Sequence, residues 1–249
     1  MADNTTFTRG HMTELEIAHQ ERRNHGTTWT RNSQFDKDGY IIVKKLWNPE
    51  ELYHPCPRER GQMSWWGKGI DQFESDPEEK QVLGSLARYT HPQYRVIHLK
   101  VGKKIEKEIG RTLYPTYYYD RFYFEGQELH KHADRDACEI SVTVHISTNL
   151  PEPESRWPIW FKTPDTYTDK TKRNILVPGE NRCAVLEPGD GVIYKGCERP
   201  HWRHQMPSPK PKRRFFGKEQ KVEYYYHQIF FHYVLQDGNR AQCAWDKAS

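Results

Sequence analysis

Between Cys138 and Ser147 the sequence CEISVTVHIS alternates strictly, with Ile140, Val142, Val144 and Ile146 on one parity and Ser141, Thr143, His145 and Ser147 on the other. Successive side chains of a strand point to opposite faces, so this run has one apolar face for a core and one small polar face. In a barrel or double-sheet architecture the polar row lines a wet interior. Just upstream, strand-like residues 117–124 (YYYDRFYF) put Tyr119, Arg121 and Tyr123 on a shared face. Between the two runs stands His132-Ala133-Asp134. In extended backbone His132 and Asp134 project to the same side, and both reach one ion.

Two ligands do not make a site. Further on, GDGVIYKGCERPHWRHQMP contains a Gly189-Asp190 turn, an apolar run from Val192 to Tyr194 and then His201, 67 positions after Asp134. Two imidazoles and one carboxylate on one face, with the opposite positions open, suit non-haem Fe(II). His130 and His204 compete by proximity, but a histidine beside a ligand is more often a neighbour or a surface residue. His227 and His232, in the last strand-like run, read as core or pocket-lining. Cys138 and Cys197 flank the site, and a thiolate would draw it towards Zn(II), although neither has a ligand's spacing.

The remaining chain supports a mainly β domain with peripheral helices. Strand signals recur at 40–43, 117–124, 138–147, 157–162, 182–187, 191–195 and 222–235, parted by Gly, Pro and Asp. Asn48-Pro49-Glu50-Glu51 reads as a helix start, and Asp76-Pro77-Glu78-Glu79 opens a helix to about Tyr89 with an N-cap residue, Pro at the first position and acids in the first turn. A further helix is expected over 94–111. Residues 53–75, with the Trp65-Trp66 pair, read as a long loop. We expect an N-terminal polar arm over 1–33, with a short helix in MTELEIAHQERR. A single domain over 34–249 follows: a helical support region at 34–115, a jelly-roll core at 116–236 and a tail at 237–249.

Composition narrows the class. The chain of 249 residues can bury one sizeable core, and its 13% aromatic content separates it from disordered sequences. No run approaches the ~20 apolar residues of a membrane span, and MADNTTFTRGHM has no signal-peptide core, so a cytoplasmic protein is expected. Five scattered cysteines without a CxxC pair fit reduced thiols. The formal charge of +4 does not imply nucleic acid. The concentrated basic patch is Lys210–Arg214 (KPKRR), followed by Lys218 and Lys221, and it reads first as a solvated loop.

In layout the chain resembles the 2-oxoglutarate- and Fe(II)-dependent dioxygenases, and among them the prolyl 4-hydroxylases. The matching pieces are FDKDGYIIVKKL, Tyr123 and Gly126-Gln127 leading to His132-Ala133-Asp134, and Gly189-Asp190 leading to Pro200-His201, over roughly residues 35–235. The resemblance implies a cupin-like jelly roll, the double-stranded β-helix, with Fe(II) on His132, Asp134 and His201 as the catalytic residues and 2-oxoglutarate chelating that iron. It also implies O2 as co-substrate, ascorbate as a reductant, and hydroxylation of an unactivated C–H bond in a peptide, protein or small molecule. One departure stands out. The family's Arg or Lys near the start of the strand after the distal His is absent from VEYYYHQIFFHYV, and an insertion over 205–221 separates that strand from His201. Arg203, which shares parity with His201, is the first candidate for the missing cation, followed by Arg121 and Lys210. Tyr123 and His145 are expected to neighbour the co-substrate.

Two other classes compete. A redox-inactive cupin-like protein holding zinc would use the same triad without turnover. A nucleic-acid-binding module would rest on KPKRR and exposed aromatics, through phosphate contacts and stacking, and is the less favoured reading.

Overall fold

The computed structural model describes residues 30–57, 61–62, 73–75, 80–169, 174–209 and 222–246. Residues 1–29 of the expected N-terminal arm, Trp65-Trp66 and the KPKRR segment with Lys210, Lys218 and Lys221 lie outside the described residues, while Ser33, the arm's last residue, opens a helix.

In chain order the strands are β1 (Tyr40–Val43), β2 (Gly61–Gln62), β3 (Glu74–Ser75), β4 (Leu86–Tyr89), β5 (Leu113–Phe124), β6 (Leu129–His132) and β7 (Ile140–Thr148). They continue as β8 (Ile159–Lys162), β9 (Thr166–Asp169), β10 (Asn174–Val177), β11 (Asn181–Ala184), β12 (Gly191–Tyr194), β13 (His201–Arg203) and β14 (Tyr225–Leu235). The helices are α1 (Ser33–Asp38) and α2 (Arg95–Ile109). The large sheet runs β1-β12-β7-β14-β5-β4-β3-β2 and the small sheet β11-β8-β13-β6, while β9 and β10 form a hairpin. From β5 to β8 and again from β11 to β14 the chain alternates between the sheets, and the β8-to-β11 connection returns within the small one. Antiparallel strands in this order make a jelly roll, the double-stranded β-helix.

The alternation seen in the sequence decides which face each residue takes. The apolar row Ile140, Val142, Val144 and Ile146 turns outward with Ile229, Phe231 and Tyr233 of β14 and packs under Ile97, Val101, Ile105 and Ile109 of α2. The inner face carries the polar row, together with Tyr119, Arg121 and Tyr123 of β5 and Tyr226, Gln228, Phe230 and His232 of β14. Ser147 departs from this pattern. His227 pairs with Ser147 but Gln228 pairs with His145, so Ile146 is an extra residue in β7. Such a bulge flips parity, and Ser147 follows His227 to the outer face.

Also on the outer face, Asp120 accepts hydrogen bonds from Arg88 Nε at 3.1 Å and Nη2 at 2.9 Å and lies 3.0 Å from His227 Nε2. These three buried residues tie β4, β5 and β14 together.

Two helix expectations fail. Residues 48–51 make a single 3-10 turn, Pro49–Glu51, capped by Asn48. Residues 86–89 are strand β4, paired with β5 from Leu86↔Phe122 to Tyr89↔Tyr119, and 76–79 lie outside the described residues. Short α1 and the hairpin β9–β10 were not expected. Among the described residues no helix is long and apolar enough to cross a membrane.

Candidate active site

β6 ends on His132 and β13 begins on His201, and antiparallel pairing sets the two directly opposite. Asp134 follows β6 in a loop whose amide donates to the Gly196 carbonyl at 2.9 Å, while the Gly196 amide donates to Glu139 at 3.0 Å. These bonds lace the loop before β7 to the loop before β13. One ligand-type atom from each of His132, Asp134 and His201 falls within 4.8 Å of the others. Asp134 Oδ1 lies 3.5 Å from His132 Nε2 and 3.6 Å from His201 Nε2.

Tautomers follow from the partners. His132 Nδ1 is 2.7 Å from the His130 carbonyl, and His201 Nδ1 is 3.0 Å from the Arg199 carbonyl. A carbonyl only accepts, so both Nδ1 atoms carry the proton and both Nε2 atoms keep a lone pair facing Asp134. Burial opposes the Asp134 charge, but His201, His132, His232 and Ser141 together hold its carboxyl well below the usual range. Burial lowers the pKa of His201. At His132 burial is outweighed by Asp134 and the His130 carbonyl, and the pKa rises.

A second set of polar groups lies deeper between the sheets. Arg203 is 1% exposed, and its Nη1 donates to the Trp157 carbonyl at 2.6 Å. Its guanidinium sits 4.7 Å from the Trp157 ring and 5.2 Å from the Tyr226 ring. Burial lowers the pKa of Arg203 against the opposing pull of the Tyr226, Tyr123 and Tyr194 hydroxyls. Arg203 Nε and Nη2 and the hydroxyls of Tyr123 and Tyr226 make no hydrogen bond of good geometry among the described residues. Both amide atoms of Gln228 are also buried without a partner. His145 stacks on Tyr226 with centroids 4.0 Å apart, and burial followed by the Arg203 charge lowers its pKa to about 3. Tyr123 meets Trp157 edge-on at 5.2 Å.

The structure therefore brings His132, Asp134 and His201 together, with Arg203, Tyr123 and His145 in the same interior. Arg121 faces Gln228 in register, and its guanidinium lies 5.3 Å from the Tyr119 ring and 5.8 Å from that of Tyr123. Its charge reaches His132. His130 and His204 are exposed, and His227 belongs to the outer face. Cys138 Sγ lies 3.2 Å from the Tyr117 hydroxyl, and burial raises its pKa. Burial pushes Cys197 up to about 11, and its thiol donates to the Arg135 carbonyl at 3.2 Å. One further grouping, Asp134, Cys138 and His232, also has ligand-type atoms within 4.8 Å of each other. Tyr226, Gln228 and Gly196 were not singled out in the sequence. The period-2 pattern of β14, with Tyr226 and Gln228 on one parity, was the available signal for the first two.

No family model matches the sequence, and none of the curated proteins does. Among solved structures, a Pseudomonas putida prolyl-4-hydroxylase is similar at 11% identity and a TM-score of 0.48, covering 80% of this chain and 95% of its own. A Trichoplax adhaerens prolyl hydroxylase in complex with a hypoxia-inducible-factor peptide is similar at 11% identity and a TM-score of 0.44, covering 88% and 92%. HygX from Streptomyces hygroscopicus, with nickel and 2-oxoglutarate bound, is similar at 9% identity and a TM-score of 0.44, covering 80% and 84%. The jelly-roll assignment rests on the strand order itself.

Proposed function

We propose that the chain is an Fe(II)- and 2-oxoglutarate-dependent dioxygenase that hydroxylates an unactivated C–H bond, with a prolyl or other residue of a peptide or protein as substrate and succinate and CO2 as co-products. The observation that carries this reading is that two imidazole Nε2 atoms lie 3.5 and 3.6 Å from one carboxylate oxygen. Neutral imidazole and carboxylate are a donor set that suits Fe(II) and leaves positions for further ligands.

The deeper polar groups fit the co-substrate. Arg203 offers Nε and Nη2, both buried and making no hydrogen bond of good geometry among the described residues, and a guanidinium grips a carboxylate through two parallel hydrogen bonds. The hydroxyls of Tyr123 and Tyr226 add donors beside it. In this reading His132, Asp134 and His201 hold the ion, and Arg203 with the two tyrosines holds the far carboxylate of 2-oxoglutarate. Arg121 stands second for that role. Bound together, iron and 2-oxoglutarate supply the oxidative decarboxylation that delivers one oxygen atom of O2 to a C–H bond. The chain's own part is to orient these groups and keep bulk water away from them. His145, uncharged at neutral pH, adds no competing positive charge beside Arg203.

We take residues 34–249 as the catalytic domain and ascorbate as the external reductant. The free thiols support a reducing, cytoplasmic setting.

The test is succinate release from peptide, nucleotide and small-molecule panels, with His132→Ala as the blank. Wild-type turnover with none in the blank is expected, and Arg203→Met should raise the 2-oxoglutarate requirement by about 10- to 100-fold, as loss of a charged hydrogen bond predicts. Succinate release surviving in His132→Ala would overturn the assignment. No release on any panel would favour the redox-inactive reading.

A further inference from the structure

Resting on the reading of His132, Asp134 and His201 as metal ligands, we propose that Ser141 and His232 are positioning residues that restrict Asp134 to single-oxygen ligation and so keep a coordination position open. The two oxygens of Asp134 meet different surroundings. Oδ1 faces His132 and His201, whereas Oδ2 lies 2.8 Å from Ser141 Oγ. The Ser141 hydroxyl has one proton to give, and its other neighbours are the Cys138 carbonyl at 3.1 Å and His232 Nδ1 at 3.0 Å. Carboxylate and carbonyl oxygens only accept, and the shorter, charge-assisted bond goes to Asp134. His232 Nδ1 must then donate to Ser141 Oγ. The chain of donation runs from His232 through Ser141 to Asp134 Oδ2, in one direction.

Every link is held by the fold. His232 and Ser141 are directly opposite in the register of β14 and β7. The His232 ring is 3% exposed and packs against Tyr117 at 4.6 Å and Tyr119 at 5.8 Å. Turning the carboxylate so that both oxygens met the ion would strip Oδ2 of its hydrogen bond in a buried place. Without Ser141 the hydrogen bond that holds Oδ2 away from the ion is gone, and the second oxygen would turn to occupy one of the three positions that the triad leaves free on a six-coordinate ion.

Anaerobic spectroscopy tests this without turnover. Wild type loaded with Fe(II) should develop the visible iron-to-2-oxoglutarate charge-transfer band, and nitric oxide, standing in for O2, should then give the high-spin iron–nitrosyl paramagnetic resonance signal. Ser141→Ala should bind Fe(II) and form the charge-transfer band at similar 2-oxoglutarate, yet need about tenfold more nitric oxide, within the range for losing a ligand's hydrogen-bond partner. Ser141→Thr should restore the wild-type response, and His232→Phe should move in the same direction as Ser141→Ala. Nitric oxide binding unchanged in both Ser141→Ala and His232→Phe overturns the proposal. So does a thiolate-to-cobalt band in Co(II)-loaded wild type that disappears in Cys138→Ala, because it would give Asp134, Cys138 and His232 to an ion instead. Wild type that takes up no Fe(II) overturns the metal centre itself, and this inference with it.

Discussion

A Cβ on Gly196 would stand 2.3 Å from the Cys138 carbonyl oxygen, 2.4 Å from Asp134 Oδ2 and 2.6 Å from Ser141 Oγ. One of these neighbours is backbone and the other two are short side chains hydrogen-bonded to each other, so none yields cheaply. Gly196→Ala should therefore push the loop and the Asp134 carboxylate apart, lowering metal affinity by about 10- to 100-fold and the melting temperature with it. Metal titration beside a melting curve checks this: an unchanged affinity would show that the loop absorbs the methyl without moving Asp134. The requirement at Gly196 was not legible in KGCERPH, because a close approach between distant loops leaves no local pattern. The proximity of His132, Asp134 and His201 could be anticipated because extended backbone sends i and i+2 to one side, and because an apolar run leads the chain to His201. The buried, inward place of Arg203 followed from its parity with His201. Ser147 was misplaced because a bulge has no period of its own.

Elements with a strong period were readable, and those specified by local caps alone were not. The inner and outer rows of β7 and β5 follow two-residue alternation, and α2 spans 95–109 within the expected 94–111. The Asp76-Pro77-Glu78-Glu79 signal is a good helix start, but Leu86–Tyr89 pairs with β5 and buries Leu86, so the ladder overrides local propensity. Hairpin β9–β10 was not legible because its apolar side chains Tyr167, Ile175, Leu176 and Val177 are exposed, so no buried face imposes a two-residue alternation. α2 owes its place to tertiary packing rather than propensity, since Ile97, Val101, Ile105 and Ile109 fill the outer face of the large sheet. Ile105 is 0% exposed, so Ile105→Ala should cost about 2–5 kcal/mol. In urea the midpoint should fall with the m-value unchanged, and a loss below about 1 kcal/mol would mean that α2 contributes little to the core.

Across the molecule, the described core mixes aliphatic side chains with the aromatic rings that the composition led us to expect. Several imidazoles are buried among them. Burial lowers His98 and His145 from 6.5 to about 3 and His232 to about 4. The unfolded chain then takes up protons near pH 6.5 that the folded chain refuses until pH 3–4. Stability is full above pH 6.5 and is lost as pH falls towards 4, by about 1.4 kcal/mol per pH unit for each group. His98 lies on α2, with Nε2 3.0 Å from the His232 carbonyl. His98→Phe should remove about one proton from the slope of unfolding free energy between pH 6 and 4, measured by urea titration at several pH values. A slope unchanged in the variant would show that His98 titrates normally.

The tie between the Asp134 amide and Gly196, with His201 registered opposite His132, means that all three candidate ligands are set before an ion arrives. Little torsional freedom remains to be surrendered on capture. A cradle of this kind is filled without refolding and emptied the same way, so the identity of its occupant is governed by the hardness of the donors and by which cation the surroundings provide.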